Sequence, residues 1–256
     1  MNDARLLDDL GTAVELAGPP QRIVSLVPSL TEALAPTGRL VGATDWCTHP
    51  AGLAVDRVRG TKNPDLAAIA GLQPDLVIAN QEENRELDVR RLREQGVAVW
   101  VTVTESVPES IASMRRLFVE VLGEPEPDWL TEADRLWSGD RPPVRRTAAV
   151  PIWRDPWMVV GRDTFTGDLL RRLGIDNVYA DAKGRYPHTT VAEIVAREPD
   201  LVLLPDEPYE FTADDGPEAF EDLATVLLEG RLITWYGPAL VEAHVTLQEL
   251  LGRPTI

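Results

Sequence analysis

Short apolar runs rich in β-branched residues alternate along this chain with amphipathic stretches of helical period. In the first half the runs are Ile23-Val24-Ser25-Leu26-Val27, Leu76-Val77-Ile78-Ala79 and Val97-Ala98-Val99-Trp100-Val101. In the second they are Ala148-Ala149-Val150-Pro151-Ile152, Leu201-Val202-Leu203-Leu204 and Leu232-Ile233-Thr234-Trp235. Runs this short and this apolar read as buried strands, and their alternation with helices predicts an α/β fold with mainly parallel sheets. Because the pattern occurs once in each half, two α/β lobes are expected.

A repeat supports the two-lobe reading. The stretch Asp65-Leu66-Ala67-Ala68-Ile69-Ala70-Gly71-Leu72-Gln73-Pro74-Asp75-Leu76-Val77-Ile78 lines up with Thr190-Val191-Ala192-Glu193-Ile194-Val195-Ala196-Arg197-Glu198-Pro199-Asp200-Leu201-Val202-Leu203, about half a chain length later. In each copy an amphipathic helix stops before Pro and Asp leads into a buried strand, so the match carries stop signals as well as hydrophobicity. Between the halves, Val107, Ile111, Met114, Leu117, Phe118, Val121 and Leu122 follow helical spacing, with Ser106 and Glu109 fitting a capping box. Gly123-Glu124-Pro125-Glu126-Pro127 breaks this helix; Trp129, Leu130, Ala133, Leu136 and Trp137 resume it. The expected organisation is an N-terminal lobe over 1–104, a helical connector over 105–141 and a C-terminal lobe over 142–256. A packed helical connector restricts lobes to small relative motions, so a semi-rigid clamp with its ligand cleft between the lobes is expected.

Composition narrows the function classes. The 42 acidic residues against 25 basic leave a net charge of -17, which repels phosphate backbones and anionic lipid, so no nucleic-acid partner is expected. No apolar run approaches the roughly 20 residues of a membrane helix, so no membrane insertion is expected. Met1 to Asp9 has neither the basic start nor the apolar core of a secretory signal, which predicts a cytoplasmic protein, with an extracytoplasmic one as the alternative if a leader was removed. The lone Cys47 has no partner for an internal disulfide.

In parallel α/β lobes ligands bind beyond the carboxyl ends of the strands, and the loops there hold the candidate chemistry. After the first strand, Ser29 is placed to cap the next helix with Glu32 completing the box; Thr31 follows it. The other strand-end loops hold Trp46-Cys47-Thr48-His49, Asn80-Gln81-Glu82-Glu83-Asn84, Trp153-Arg154-Asp155-Pro156-Trp157, Pro205-Asp206-Glu207-Pro208-Tyr209 and Trp235-Tyr236-Gly237-Pro238. Four of the seven tryptophans (Trp46, Trp153, Trp157 and Trp235) stand in these loops, which suits a large flat ligand; core packing is the plainer reading of each taken singly. Trp129 and Trp137 belong to packing of the connector. Glu82, Glu83, Asp206 and Glu207 are candidate acceptors for ligand amides or hydroxyls, or ordinary solvated loop charge. Arg154 and Arg162 suit a ligand anion, or a salt bridge within the loop.

Catalytic and metal signals are thin. No Gly-x-Ser-x-Gly elbow occurs, and His49, His188 and His244 stand in no recognisable triad context. One cysteine and three scattered histidines lack paired-ligand spacing, so no metal held by the protein and no intrinsic cofactor is expected. His49 or Cys47 could supply a single axial donor to a metal already held by a macrocycle. Tyr186 and His188, just before the second repeat helix, are further candidate ligand contacts, and His244 reads as a packing or surface residue of the last helix.

Three stretches together resemble a known family: Arg22-Ile23-Val24-Ser25-Leu26-Val27-Pro28-Ser29-Leu30-Thr31-Glu32, Val41-Gly42-Ala43-Thr44-Asp45-Trp46 and Pro74-Asp75-Leu76-Val77-Ile78. They are similar to the class III, cobalamin- and siderophore-type, substrate-binding proteins of ABC importers, from about Leu6 to Leu251. The resemblance implies two α/β lobes joined by a helical backbone. Within that family the look is closest to cobalamin binders, whose cleft aromatics match Trp46 and Trp235-Tyr236 and whose ligand-facing turn resembles Phe165-Thr166-Gly167-Asp168. It also implies an ABC importer as partner, docked through one glutamate per lobe on the helix before the Pro-Asp-Leu-Val strand. Ala67 and Ala192 stand at those positions, with Glu193 beside the second, so the electrostatic part of docking is missing and the importer stays open.

The expected function is therefore a non-catalytic, monomeric binding protein for a bulky metal chelate, with a corrinoid such as cobalamin as the leading candidate. Its ligand-binding residues are Ser29, Thr31, Trp46, His49, Asn80, Glu82, Trp153, Trp157, Phe165, Tyr186, Tyr209, Trp235 and Tyr236. Haem or an iron siderophore is the alternative ligand. A tetrapyrrole chelatase-like enzyme, or a degenerate copy kept as a sensor or interaction domain, is the alternative role.

Overall fold

A computed structural model describes residues 6–251, so the first part of the segment read for a leader lies outside the described residues. The backbone divides into two compact units. The first holds residues 6–104, 109–132 and 236–238, and the second holds 105–108, 133–235 and 239–251.

In the first unit, β1 (Ile23–Ser25), α1 (Pro28–Leu34), β2 (Leu40–Ala43) and β3 (Asp56–Arg57) are followed by the hairpin strands β4 (Arg59–Gly60) and β5 (Asn63–Pro64). Then come α2 (Leu66–Gly71), β6 (Leu76–Asn80), α3 (Glu86–Glu94) and β7 (Val99–Thr102). The main sheet has the order β3-β2-β1-β6-β7 and is parallel throughout. All five residues of β6 and all four of β7 are buried, as strands covered on both faces must be. Val24, Leu26, Val77, Ala79, Val99 and Val101 pack with Ile69 of α2 and with Val89 and Leu92 of α3 to make the core.

Two helices interrupt the alternation, α4 (Val107–Arg116) and α5 (Asp128–Trp137). A π-helical turn, Leu117–Val121, extends α4 to the break, where Gly123 takes φ +65°.

The second unit contains β8 (Arg146–Ala149), β9 (Pro151–Trp153), β10 (Met158–Val159), α6 (Phe165–Arg172) and β11 (Ile175–Asn177). It continues with α7 (Val191–Ala196), β12 (Leu201–Pro205), β13 (Thr225–Leu228), α8 (Arg231–Thr234) and α9 (Ala239–Leu251). Its parallel sheet runs β11-β8-β12-β13, and β9 and β10 form a separate antiparallel pair. In both units the first strand sits inside the sheet, the chain builds outward on one side, then crosses over to build on the other.

The repeat seen in the sequence is thus a repeat of structure, α2-β6 against α7-β12. Asp65 caps α2 by accepting the Ala68 N–H, and Thr190 caps α7 by accepting that of Glu193. Gln73 and Glu198, each just before the proline, both take the left-handed conformation, at φ 47° and 50°.

Three local expectations are corrected. Ser29 does not cap α1: the N-cap is Val27, Pro28 opens the helix with its fixed φ, and Ser29 lies inside it. The run Leu232-Ile233-Thr234-Trp235 is not a strand. The edge strand is Thr225–Leu228, and Arg231–Thr234 forms a single helical turn; a run of four residues fits either buried element, and length could not decide between them. Ala148 to Ile152 is not one strand either, since Val150 separates β8 from β9.

Candidate functional site

The carboxyl ends of β1, β2 and β6 place the first unit's candidate loops together, at the point where strand order reverses about β1. Trp46, just past β2, is 66% exposed, the most exposed large hydrophobic residue described. Its loop is nonetheless firmly held. Arg57 donates from Nη1 to the carbonyls of Thr44 (2.8 Å) and Cys47 (3.0 Å), and the Asp45 N–H donates to Arg59 O at 2.8 Å. Beneath it Cys47 is fully buried, its sulfur 2.9 Å from the Thr31 hydroxyl and 3.1 Å from that of Thr44. Gly60 leaves room for the indole: a Cβ there would lie 3.2 Å from Trp46 Nε1 and 2.5 Å from Asn63 Oδ1. The sequence has therefore built a rigid mount for an aromatic side chain presented to solvent.

The other predicted residues of this unit lie in or beside the same strand-end loops. Thr31 is fully buried and donates to Val27 O at 2.9 Å as well as meeting Cys47, so its hydroxyl is committed inside the fold. Burial pushes the Cys47 thiol above its usual pKa despite the bonds from Thr31 and Thr44. His49 is exposed, before a cis proline, with Nδ1 3.2 Å from the Thr48 hydroxyl. Asn80 is buried and builds the turn after β6. Its Oδ1 accepts the N–H groups of Glu82 (2.8 Å) and Glu83 (3.2 Å), and its Nδ2 reaches the hydroxyls of Thr102 and Thr104. Glu82 is half-buried, and its carbonyl accepts from Lys62.

Ser29 and Tyr236 lie in the same unit. Gly237 brings the backbone so near α1 that a Cβ would sit 2.8 Å from Ser29 O. Tyr236 is buried, with its hydroxyl 3.3 Å from Glu83 Oε1. Burial, reinforced by the Glu83 charge, lifts its phenol well above the usual range, so it stays protonated and acts as a donor.

In the second unit the aromatic residues form one continuous stack. Trp153, 44% exposed at the end of β9, stands edge-on to Tyr209 at 5.7 Å. Tyr209 leans on Phe211 at 4.7 Å, Phe211 stacks on Trp157 at 5.9 Å with ring planes 10° apart, and Trp157 meets Phe220 edge-on at 5.3 Å. Trp157 is therefore part of the packing, and Trp153 is the member presented to solvent. Trp235 is buried and donates from Nε1 to Glu207 at 2.6 Å, which also takes the Thr234 hydroxyl at 2.9 Å. Phe165 is buried at the start of α6, behind a Thr164 cap on the Gly167 N–H, and Tyr186 is half-buried in the loop before α7. His188 is exposed and bridges Met158.

The reading missed the supports of this stack. Phe211 and Phe220 are buried at its base, and Arg154 lies 5.5 Å over the Trp157 ring while bonded to Asp215 and Glu218. The intra-loop ion pair considered for Arg162 forms, with Asp163 at 2.7 Å; Arg154 has Asp155 of its own loop at 3.9 Å, but its short bonds go to Asp215 and Glu218 of another segment. The acid-rich turn after β12 was the signal for the Arg154 bonds. Trp129 and Trp137 pack as expected, Trp129 edge-on to Phe118 at 6.1 Å and Trp137 donating to Leu240 O at 2.9 Å. Among the described residues no group of three or more His, Cys, Asp or Glu side chains is arranged to hold a metal ion, and no helix is long and apolar enough to cross a membrane.

Two parallel α/β units of matching topology, each with a tryptophan presented at its strand ends, define a two-lobed binding protein of the periplasmic type. The chain belongs to the periplasmic binding protein family, whose model matches residues 23–225. It is similar to the vitamin B12-binding protein of Vibrio campbellii, 22% identical over 196 residues that cover 73% of this chain and 71% of the relative. Among solved structures it is similar to the periplasmic vitamin B12-binding protein BtuF of Vibrio cholerae, with a TM-score of 0.72, 18% identity, and 91% and 97% of the two chains covered. It is equally similar to the periplasmic heme-binding protein RhuT from Roseiflexus sp. RS-1, with a TM-score of 0.73, 20% identity, and 90% and 98% coverage. At these identities the structural likenesses establish the fold.

Proposed function

We propose that the chain is a non-catalytic receptor for a bulky metal chelate, a corrinoid first, with haem or an iron siderophore as the alternatives. The observation that carries the reading is the pair of exposed indoles, Trp46 on its braced loop just past the parallel strand β2 and Trp153 on its aromatic stack at the end of β9. Solvent-exposed tryptophans on rigid supports are poor surface chemistry unless they cover a flat apolar ligand. Relatives named for vitamin B12 and for heme support the chelate class. Tyr209 and His49 are candidate polar partners beside the indoles.

The family's periplasmic description supports an extracytoplasmic place of action over a cytoplasmic one. An ABC importer is the corresponding partner. Ala67 and Ala192 are exposed on the first turns of α2 and α7 without a charge, and the Glu193 carboxylate is folded back onto the Thr190 N–H at 2.9 Å. Docking there rests on shape rather than on the paired glutamates that the resemblance implies.

Titration of the purified protein with cyanocobalamin tests the reading, following quenching of tryptophan fluorescence and the corrin visible bands. Saturable, one-to-one quenching at micromolar ligand supports it. No change at high micromolar cyanocobalamin, haemin and ferric siderophore alike overturns it. Metal insertion into a free tetrapyrrole would instead favour the chelatase-like role.

A further inference from the structure

Arg154 and Arg162 are the two cations in the segments of the second lobe that surround the aromatic stack, residues 153–163 and 205–218, which together carry eight carboxylates. Arg162 is 55% exposed and paired with the adjacent Asp163, whereas Arg154 is 25% exposed and lies against the Trp157 ring. Its Nη1 donates to both Asp215 and Glu218, the latter at 2.5 Å. Asp215 also takes the Tyr209 hydroxyl at 2.6 Å, and Tyr209 is the ring on which exposed Trp153 stands. The arginine, both carboxylates and the phenol thus form one clasp under the exposed indole.

The clasp is set by backbone geometry rather than by flexible surface side chains. Thr212 and Asp215 exchange backbone hydrogen bonds across a tight turn. Gly216 follows at φ +127°, where a Cβ would sit 2.7 Å from Phe211 Cδ1. The Gly216 N–H bonds the second oxygen of Glu218 at 2.5 Å. The Arg154 bond holds Glu218 below the usual carboxylate range.

We propose that this clasp is a specificity determinant: by holding Arg154 between Asp215 and Glu218 it makes the Trp153–Tyr209 shelf accept a chelate with an amide rim and reject one with a carboxylate rim. The inference rests on the chelate-receptor reading above. A free arginine beside an aromatic shelf is a bidentate receptor for carboxylate. Here Asp215 and Glu218 both draw on Nη1 and Asp155 stands 3.9 Å from Nε, so the group carries net negative charge and a further carboxylate meets repulsion. The unused lone pairs of Asp215 and Glu218 are acceptors for amide N–H donors. Corrinoids present amide side chains at the ring edge, whereas haem presents propionates.

The test compares cyanocobalamin with haemin on the wild type and on the double variant Asp215→Asn, Glu218→Gln, with thermal melting to establish folding. Releasing Arg154 should raise the affinity for haemin relative to cyanocobalamin on the order of tenfold or more, the scale of one charge-assisted hydrogen bond. Adding Arg154→Met to the double variant should cancel that gain, which a general change in net charge would leave in place. The single variant Glu218→Gln, at a half-exposed side chain, should move the ratio in the same direction and serves if the double variant does not fold. An unchanged ratio in a folded variant, or a gain that survives Arg154→Met, overturns the clasp while leaving chelate binding intact. A wild type that binds neither ligand overturns both.

Discussion

Replacing Trp46 by alanine separates ligand binding from stability more cleanly than any other single change. A tryptophan offers up to about 250 Å² of surface, so with 66% exposed roughly 150 Å² of Trp46 faces water. A flat ligand lying on one face covers about 75–100 Å² of that, which is ~2 kcal/mol at about 25 cal/mol per Å². Ring stacking adds about 0.5–1 kcal/mol. The variant should therefore lose about 2–3 kcal/mol of binding, roughly thirty- to hundred-fold in Kd. Its folding should hardly change, because surface substitutions of this kind stay within about 0.5 kcal/mol and the loop bonds from Arg57 are to the carbonyls of Thr44 and Cys47. Isothermal titration with cyanocobalamin, with a thermal melt of both proteins, measures the two effects. A Kd within threefold of wild type would refute the placement of Trp46 at the ligand. A fall in Tm as large as the loss of affinity would show that the indole is structural.

Two further predictions concern the scaffold. Asp168, 6% exposed, accepts from Arg172 at 2.8 Å, from Arg141, and from the first N–H of α4 at Val107 at 2.9 Å. Burial alone would raise its pKa, but these three donors outweigh it and hold the carboxyl below its usual value. Its stabilising contribution is thus fully present above the unfolded pKa of about 4 and disappears as pH falls through the lower folded value. Asp168→Asn should cost about 2–3 kcal/mol at neutral pH, about 5–10 °C in Tm for a chain of this size, with the gap to wild type narrowing on acidification below pH 4. A gap that stays constant with pH would contradict the ionic account. Cys47, buried with a raised pKa, should resist a disulfide-exchange reagent at pH 8 in the native protein and react fully once unfolded in guanidinium. Fast reaction of the native thiol would mean that the Trp46 loop opens.

The architecture was legible because both copies of the helix-Pro-Asp-strand unit carry their own stop signals. Leu66–Gly71 with Leu76–Asn80, and Val191–Ala196 with Leu201–Pro205, are the same device twice. Trp46 and Trp153 were read as strand-end residues, and the structure has Trp46 three residues past β2 and Trp153 as the last residue of β9. What failed depended on tertiary partners. Thr31 looks like a loop hydroxyl until Cys47 arrives from sixteen residues away to take it. Trp235 looks like a strand-end aromatic, but Glu207, twenty-eight residues earlier, draws its indole N–H inward. Ser29 matches a capping pattern, yet Pro28 at the first helical position moves the helix start one residue ahead of it. The Arg154 clasp needs Asp215 and Glu218, more than sixty residues on, and only the local excess of acid hinted at it.

The claim that this chain is a chelate receptor is tested most directly by native mass spectrometry of the protein, freshly purified and then mixed with equimolar cyanocobalamin, haemin or a ferric siderophore. The account predicts a single added ligand per protein chain, with the cyanocobalamin adduct the most populated and surviving the mildest collisional activation. A spectrum showing only the bare chain with all three ligands would contradict it.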